Sequence, residues 1–198
     1  MATEIIKTIK SSGGDYTSRS AFEAAVPANL VTLDEQWSGV IDAFEDTTAV
    51  TVSGITTDAT RYVEFRVASG QGHAGKWDDA KARLAITTGA ISLTISVPYT
   101  RVIGDQIKNT TENGDYRYAI EVTVSVVRII KYIIKESNGI TGANRAGIIC
   151  NVSTYIINCV IYDFISTYSV GIFGDIVSGN VYVYNTTLHN CTTGIQTE

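Results

Sequence analysis

Apolar residues recur along this chain at a spacing of 27 positions. RVIGDQIKN begins at Arg101, RIIKYIIKE at Arg128, YIINCVIYD at Tyr155 and YVYNTTLHN at Tyr182. One column reads Ile107, Ile134, Ile161, Leu188, and a second reads Val102, Ile129, Ile156, Val183. A fixed period with β-branched residues in register marks a solenoid, in which no coil buries its own apolar face and each stacks on its neighbours. A further apolar station falls at Ile120, Ile148, Ile172 and Ile195, with Ile95 read as its forerunner. Its intervals are uneven, so loops at 110–118, 137–145 and 165–169 absorb the length differences that stacked strands cannot. Gly104, Lys131, Asn158 and Asn185 occupy one matching place between two strands. Gly and Asn tolerate the left-handed conformation that a sharp corner needs.

Ahead of residue 99 the pattern is less regular. IIKTIK (5–10) alternates like a strand and SSGGDYTS (11–18) reads as a turn. Ser20 and Glu23 have capping-box spacing, which predicts a short helix over roughly 21–25 that stops before Pro27. LVTL (30–33) reads as extended, and further strands are expected within 49–55, 62–68, 83–86 and 91–97. The segment 69–82 is Gly-rich and then charged, and predicts a loop leaving the body. The chain divides into an N-terminal strand and helical cap (1–33), irregular early coils (34–98) and regular coils (99–198).

GGDYTS followed by AFEAAVPANLVTL, together with the Asn-centred corners and Ile columns of 99–198, resembles the right-handed parallel β-helix superfamily, also called pectin-lyase-like. The resemblance implies an all-β fold: a single right-handed parallel β-helix of three sheets, with a short N-terminal helix capping the first coil. The superfamily spans pectate lyases, polygalacturonases, phage tailspikes and adhesins, so the fold does not select a reaction.

Composition narrows the classes. Charged residues are 18% and hydrophobic residues 44%, the balance of an ordered chain, and two prolines with seventeen glycines favour strands and tight turns. A formal charge of −5 argues against a nucleic-acid partner, which selects for a basic face. No run of eighteen apolar residues predicts a membrane span, and MATEIIKTIK lacks the apolar core of a signal peptide. Cys150, Cys159 and Cys191 lack disulfide or zinc spacing and read as small buried thiols.

Candidate chemistry is sparse. The column closing the repeat is Asn109, Glu136, Asp163, Asn190. Neighbouring coils lie about 4.8 Å apart, so Glu136 and Asp163 are expected side by side. Two adjacent carboxylates repel unless a proton or a cation intervenes. That makes Ca²⁺ a candidate ligand of the pair, and the pair a candidate glycosidase-like couple with Lys135 beside it. The plainer reading is two solvated turn residues. No cofactor is otherwise implied. Lys108, Lys135, Tyr162 and His189 form an outward column that offers a polysaccharide both an aromatic ring and hydrogen-bonding groups. The superfamily's enzymes imply a fuller set of aligned acids than this chain carries. GQGHAGKW (70–77) nearly matches a phosphate loop, but Trp77 stands where the Mg²⁺-binding hydroxyl belongs, and a surface loop around a solvated His73 is expected instead. The column Asp105, Tyr132, Cys159, Thr186 faces inward by alternation, yet a buried Asp105 needs partners, so a corner near solvent is expected there.

The expected function is a non-catalytic structural or glycan-contacting β-helix module of a surface, extracellular or virion protein. The alternative is a polysaccharide lyase or glycoside hydrolase. Val102, Ile129, Ile156 and Val183 alternate with Ile103, Ile130, Ile157 and Tyr184, and only one set can face the interior. The second set is an expected homo-oligomer face, unless residues 26–80 cover it.

Overall fold

The computed structural model describes residues 2–87, 91–109, 117–136 and 145–197, with the side chains of 109 and 175–178 excepted. The elements run β1 (Thr3–Ile9), α1 (Arg19–Ala25), α2 (Leu30–Leu33), β2 (Glu35–Ile41), β3 (Glu45–Asp46), β4 (Val50–Val52) and β5 (Val63–Val67). They continue with β6 (Arg83–Ile86), β7 (Ile91–Ile95), β8 (Arg101–Ile103), β9 (Gln106–Asn109), β10 (Arg117–Val122), β11 (Val127–Ile130) and β12 (Ile133–Glu136). Last come β13 (Arg145–Ile157), β14 (Val160–Tyr162), β15 (Ser169–Tyr184), β16 (Thr187–His189) and β17 (Thr193–Thr197).

All ladders between these strands are parallel, and they wind into a solenoid with three faces. The first face stacks β1, β2, β5, β8, β11 and the C-terminal parts of β13 and β15. The second stacks β3, β6, β9, β12, β14 and β16. The third stacks β4, β7, β10, the N-terminal parts of β13 and β15, and β17. The long strands β13 and β15 bend from the third face into the first, which joins those two faces into one sheet.

The 27-residue columns are ladder registers. Ile107, Ile134, Ile161 and Leu188 pair in sequence, and Leu84 precedes them. Val102, Ile129, Ile156 and Val183 do the same, preceded by Phe65. Each buried Ile in such a column contributes roughly 1.5–3 kcal/mol, which makes the aliphatic stacks the main stabilising term. The third-face station also stands, with one amendment: Ile120 pairs with Leu93, while Ile95 belongs with Val122 in the neighbouring column. Gly104, Lys131, Asn158 and Asn185 all have positive φ, so the corner imposes the left-handed conformation even on a lysine. Asn185 Nδ2 donates to Asn158 Oδ1 at 2.7 Å across that corner.

Several local readings are corrected. Helix α1 starts two residues earlier than its pattern suggested, because Ser18, not Ser20, is the N-cap and its Oγ accepts from Ala21 N at 3.0 Å. Glu23 does not close a capping box; its carboxylate accepts from Ser53 N and ties the helix to β4's far end. LVTL is the short helix α2, because Asn29 caps it through Thr32 N and Asp34 ends it in the left-handed region. Phe22 of α1 is fully buried against Phe65, Tyr16 and Trp37, and so closes the first coil.

Asp105 is not at a solvated corner. It is 1% exposed, and its Oδ2 accepts from Arg19 Nε at 2.9 Å and lies 2.7 Å from Nη2. The same arginine reaches Asp46 Oδ2 at 3.2 Å and covers the Phe44 ring. By register the interior column runs Phe44, Ala82, Asp105, Tyr132, Cys159, Thr186, two places before Asp46, Leu84, Ile107 and their successors. Burial, with the Asp105 charge next, pushes the Tyr132 phenol well above its ordinary value. Cys150, Cys159 and Cys191 are free; burial pushes Cys150 up to about 12 and Cys159 to about 11, so both stay thiols.

Candidate functional site

The second face presents its outward side chains in one row, because alternate residues of β9, β12, β14 and β16 point away from the Ile column. Lys108, Lys135, Tyr162 and His189 pair in succession along that row, and Ala85 precedes them. The three that precede His189 are partly buried and His189 is exposed.

The partial burial has a cause that the sequence pattern did not reveal. Residues 69–82 do not leave the body but fold back over the row. Lys135 Nζ lies 4.2 Å from the Trp77 ring centroid, a cation–π contact. Trp77 Nε1 donates to Asp79 Oδ1 at 2.8 Å, and that bond, aided by Arg83, Lys135 and Lys108, holds the Asp79 carboxyl below its usual value. Burial and the Lys108 charge lower the Lys135 ammonium, while burial and then Asp163 raise the Tyr162 phenol.

Two anchors fix this loop. Buried Gln106 accepts from Asp78 N at 2.8 Å and donates to Asp78 O and Ala82 O at 2.9 and 3.1 Å. His73 Nε2 lies 2.7 Å from Lys131 O, the carbonyl of a left-handed corner. His73 is therefore an anchor and not a solvated loop residue. Trp77 and Asp79 join the row as functional candidates that sequence reasoning missed. The only signal for Trp77 was its place where a phosphate loop carries a hydroxyl.

Glu136 and Asp163 turn to different partners. Alternation after inward Ile134 and outward Lys135 turns Glu136 inward, where it is 4% exposed and accepts from Arg145 Nη1 at 2.7 Å. Burial is the largest influence and raises its pKa, against the opposing pull of Arg145 and the Ile165 backbone. Asp163 takes a left-handed corner, φ 66°, and its Oδ1 accepts from Asn190 Nδ2 at 2.8 Å. Each carboxylate therefore already has its own partner, Arg145 for Glu136 and Asn190 for Asp163. Among the described residues no cluster of three His, Cys, Asp or Glu side chains suits a metal ion. Arg145 pairs in register with Ser169, whose hydroxyl bonds that of Ser166, so this corner holds a buried polar cluster. Asn109 pairs with Glu136 along the ladder.

A groove of about 420 Å³ lies elsewhere, among Gln36, Thr60, Arg61, Tyr62 and Arg101, and includes none of the second-face row.

No protein-family model matches the sequence, and no curated protein matches it. In three dimensions the chain is a right-handed parallel β-helix. It is similar to a mutant pectin methylesterase solved in complex with a hexasaccharide, with a TM-score of 0.56 and 14% sequence identity. The match covers 96% of this chain and 66% of that one, so the chain spans just under two thirds of the enzyme's length. At that identity the likeness is one of fold. No described helix is long and apolar enough to cross a membrane.

Proposed function

We propose that this chain is a non-catalytic, glycan-contacting β-helix module of a surface, extracellular or virion protein. Its contact strip is the row Lys108, Lys135, Tyr162, His189 with the overlying Trp77 and Asp79. The observation that carries this reading is the Trp77 indole held 4.2 Å from Lys135 Nζ, beside Tyr162 on the next coil. Aromatic rings edged by fixed cations and a carboxylate suit a sugar, whose apolar ring face stacks while its hydroxyls find donors and acceptors. The structural neighbour was solved with a hexasaccharide, which makes oligosaccharides the first ligand class to try. The inward Glu136, spent on Arg145, favours binding over catalysis.

A second reading, a polysaccharide lyase or glycoside hydrolase, draws on Lys135. A lysine whose ammonium is lowered by burial and by Lys108 is a better base than an exposed one. Incubation with acidic and neutral polysaccharides separates the two. Binding that broadens or shifts the Trp77 and Tyr162 signals, with no new reducing ends or unsaturated products, is the expected result. Product formation lost in Lys135→Ala would establish the enzyme instead.

A further inference from the structure

The groove of about 420 Å³ lies where the loop before β5 passes between the start of β1 and the start of β8. Arg61, Tyr62 and Arg101 line it with Gln36 and Thr60, and Ala2 and Ala59 supply its apolar wall. A space of that size admits a metabolite-sized molecule. No lining residue carries a carboxylate.

The groups left over after internal hydrogen bonding decide what fits. Thr60 Oγ1 donates to Asp58 Oδ1 at 2.9 Å and accepts from Arg61 Nη1 at 3.2 Å, so that hydroxyl is occupied. Tyr62 Oη accepts from Arg101 Nη1 at 2.6 Å, and the guanidinium stacks 3.7 Å from the ring centroid. Burial raises the Tyr62 phenol against the pull of Arg101, so it keeps its proton for a further acceptor. Among the described residues nothing accepts from Arg101 Nε or Nη2, and no carboxylate lies within ion-pair distance of Arg101. Arg19, Arg61, Arg66, Arg83 and Arg145 each have one. What remains is chiefly N–H and O–H, which calls for an acceptor. The carboxylates nearby are already engaged. Asp34 and Asp58 hold Arg61 at 2.7 and 2.8 Å, and Glu64, in register beside Arg101, takes Arg66 at 2.8 Å. They keep the local charge low, which suits one anionic head and not a polyanion.

We propose that this groove binds a small organic anion, with a single carboxylate or sulfate head on a short apolar body. Arg101 offers the head its Nε–Nη2 edge, a planar fork that matches two oxygens at once. Tyr62 adds its O–H, and the apolar body lies against Ala2 and Ala59. Stacking on Tyr62 holds the guanidinium in place beforehand, which lowers the ordering cost of binding. With so little net positive charge around it, the site binds weakly and loses affinity in salt. None of the row Lys108, Lys135, Tyr162, His189 lines the groove, so the proposal stands independently of the glycan reading.

NMR of the Arg101 side-chain Nε–H in the full chain, at constant ionic strength, tests it. Butyrate or ethyl sulfate should shift that signal saturably, and the neutral butyramide should not. Saturation by either anion supports the site, and the order of the two affinities assigns the head. In calorimetry, Arg101→Gln should weaken binding about tenfold or more, and Tyr62→Phe, which keeps the ring, about threefold. Trp77→Ala and Arg128→Gln should leave it intact, which separates this groove from the glycan strip. If Arg101→Gln fails to fold, Arg101→Lys keeps the charge, loses the fork and should still weaken binding. An Arg101 signal that neither anion moves overturns the proposal. So does butyramide acting as well as butyrate, or unchanged affinity in both Arg101→Lys and Tyr62→Phe.

Discussion

Arg19 Nε donates to Asp105 Oδ2 at 2.9 Å through the interior of the solenoid, joining the first residue of the capping helix to a strand corner 86 positions later. The same guanidinium reaches Asp46, so one cation holds two carboxylates that are each almost fully buried. Removing one member of such a set leaves an uncompensated buried charge, whereas removing all of them need not be costly. Arg19→Met should therefore lower unfolding free energy by about 3–5 kcal/mol. The triple variant Arg19→Met/Asp46→Asn/Asp105→Asn should recover most of that loss. Urea titrations of the three proteins check this, and equal stability of wild type and Arg19→Met would remove the clamp from the account.

The register of the second face is tested by adjacent residues. Ile134 is fully buried and Lys135 points outward to Trp77. Ile134→Asp should unfold the chain or cost several kcal/mol, while Lys135→Ala should cost about 1 kcal/mol, the value of a partly exposed cation–π contact. Thermal melts of both variants suffice.

The 27-residue columns were legible because stacking forbids length changes within strands, and the ladder registers reproduce them for Ile107 to Leu188 and Val102 to Val183. The strand at Arg83–Ile86 was legible as an apolar run of its own, outside those columns. What failed was anything whose partner comes from far along the chain. Asp105 looked misplaced because its counterion sits on α1, and Lys135 looked solvated because its cover arrives from a loop two coils earlier. Glu136 is different: alternation from Ile134 already pointed it inward, and reading it as a corner residue overrode a signal that was present.

Glu136 and Asp58 should titrate in opposite directions. Burial raises the Glu136 carboxyl above 4.5, so the folded state binds that proton more tightly than the unfolded chain. Its contribution is full below the unfolded value and is lost as pH rises through the folded one. Asp58, held at about 2 by Thr60 and Arg61, contributes above 3.8, and that contribution fades as pH falls through about 2. Carboxyl-carbon NMR titration should place the Glu136 midpoint above that of a model glutamate, and Glu136→Gln should flatten the corresponding segment of the stability curve. A Glu136 midpoint at or below the model value would contradict the burial argument.

Gly39 faces the cap. A Cβ built there would lie 2.8 Å from Ile9 Cδ1 and 2.9 Å from Phe22 Cε1. Gly39→Ala should push Phe22 off its seat and cost about 1–3 kcal/mol, with the largest NMR shift changes on α1. Perturbation spread evenly over all coils would argue that the cap is not a separate docking unit.

The proposed glycan strip makes its own forecast. Trp77→Ala and Tyr162→Ala should each weaken oligosaccharide binding by about 1–2 kcal/mol in calorimetry, because stacking area is lost. Arg128→Glu, on another face, should leave it unchanged. Loss of binding in Arg128→Glu alone would move the site.

Residues 68–81 are inserted between Val67 and Ala82, whose counterparts on the next coil, Gly104 and Asp105, are consecutive. The strands before and after the insertion keep their register with that coil, so the ladder accepts an arm at its corner, tied down through buried Gln106. The proposed contact arm and the ladder are thereby written in largely separate stretches of sequence. Transplanting the Trp77 arm to the corner at Lys131 or Asn158, with a glutamine placed as Gln106 is on the receiving coil, would re-aim the proposed contact strip on the same ladder.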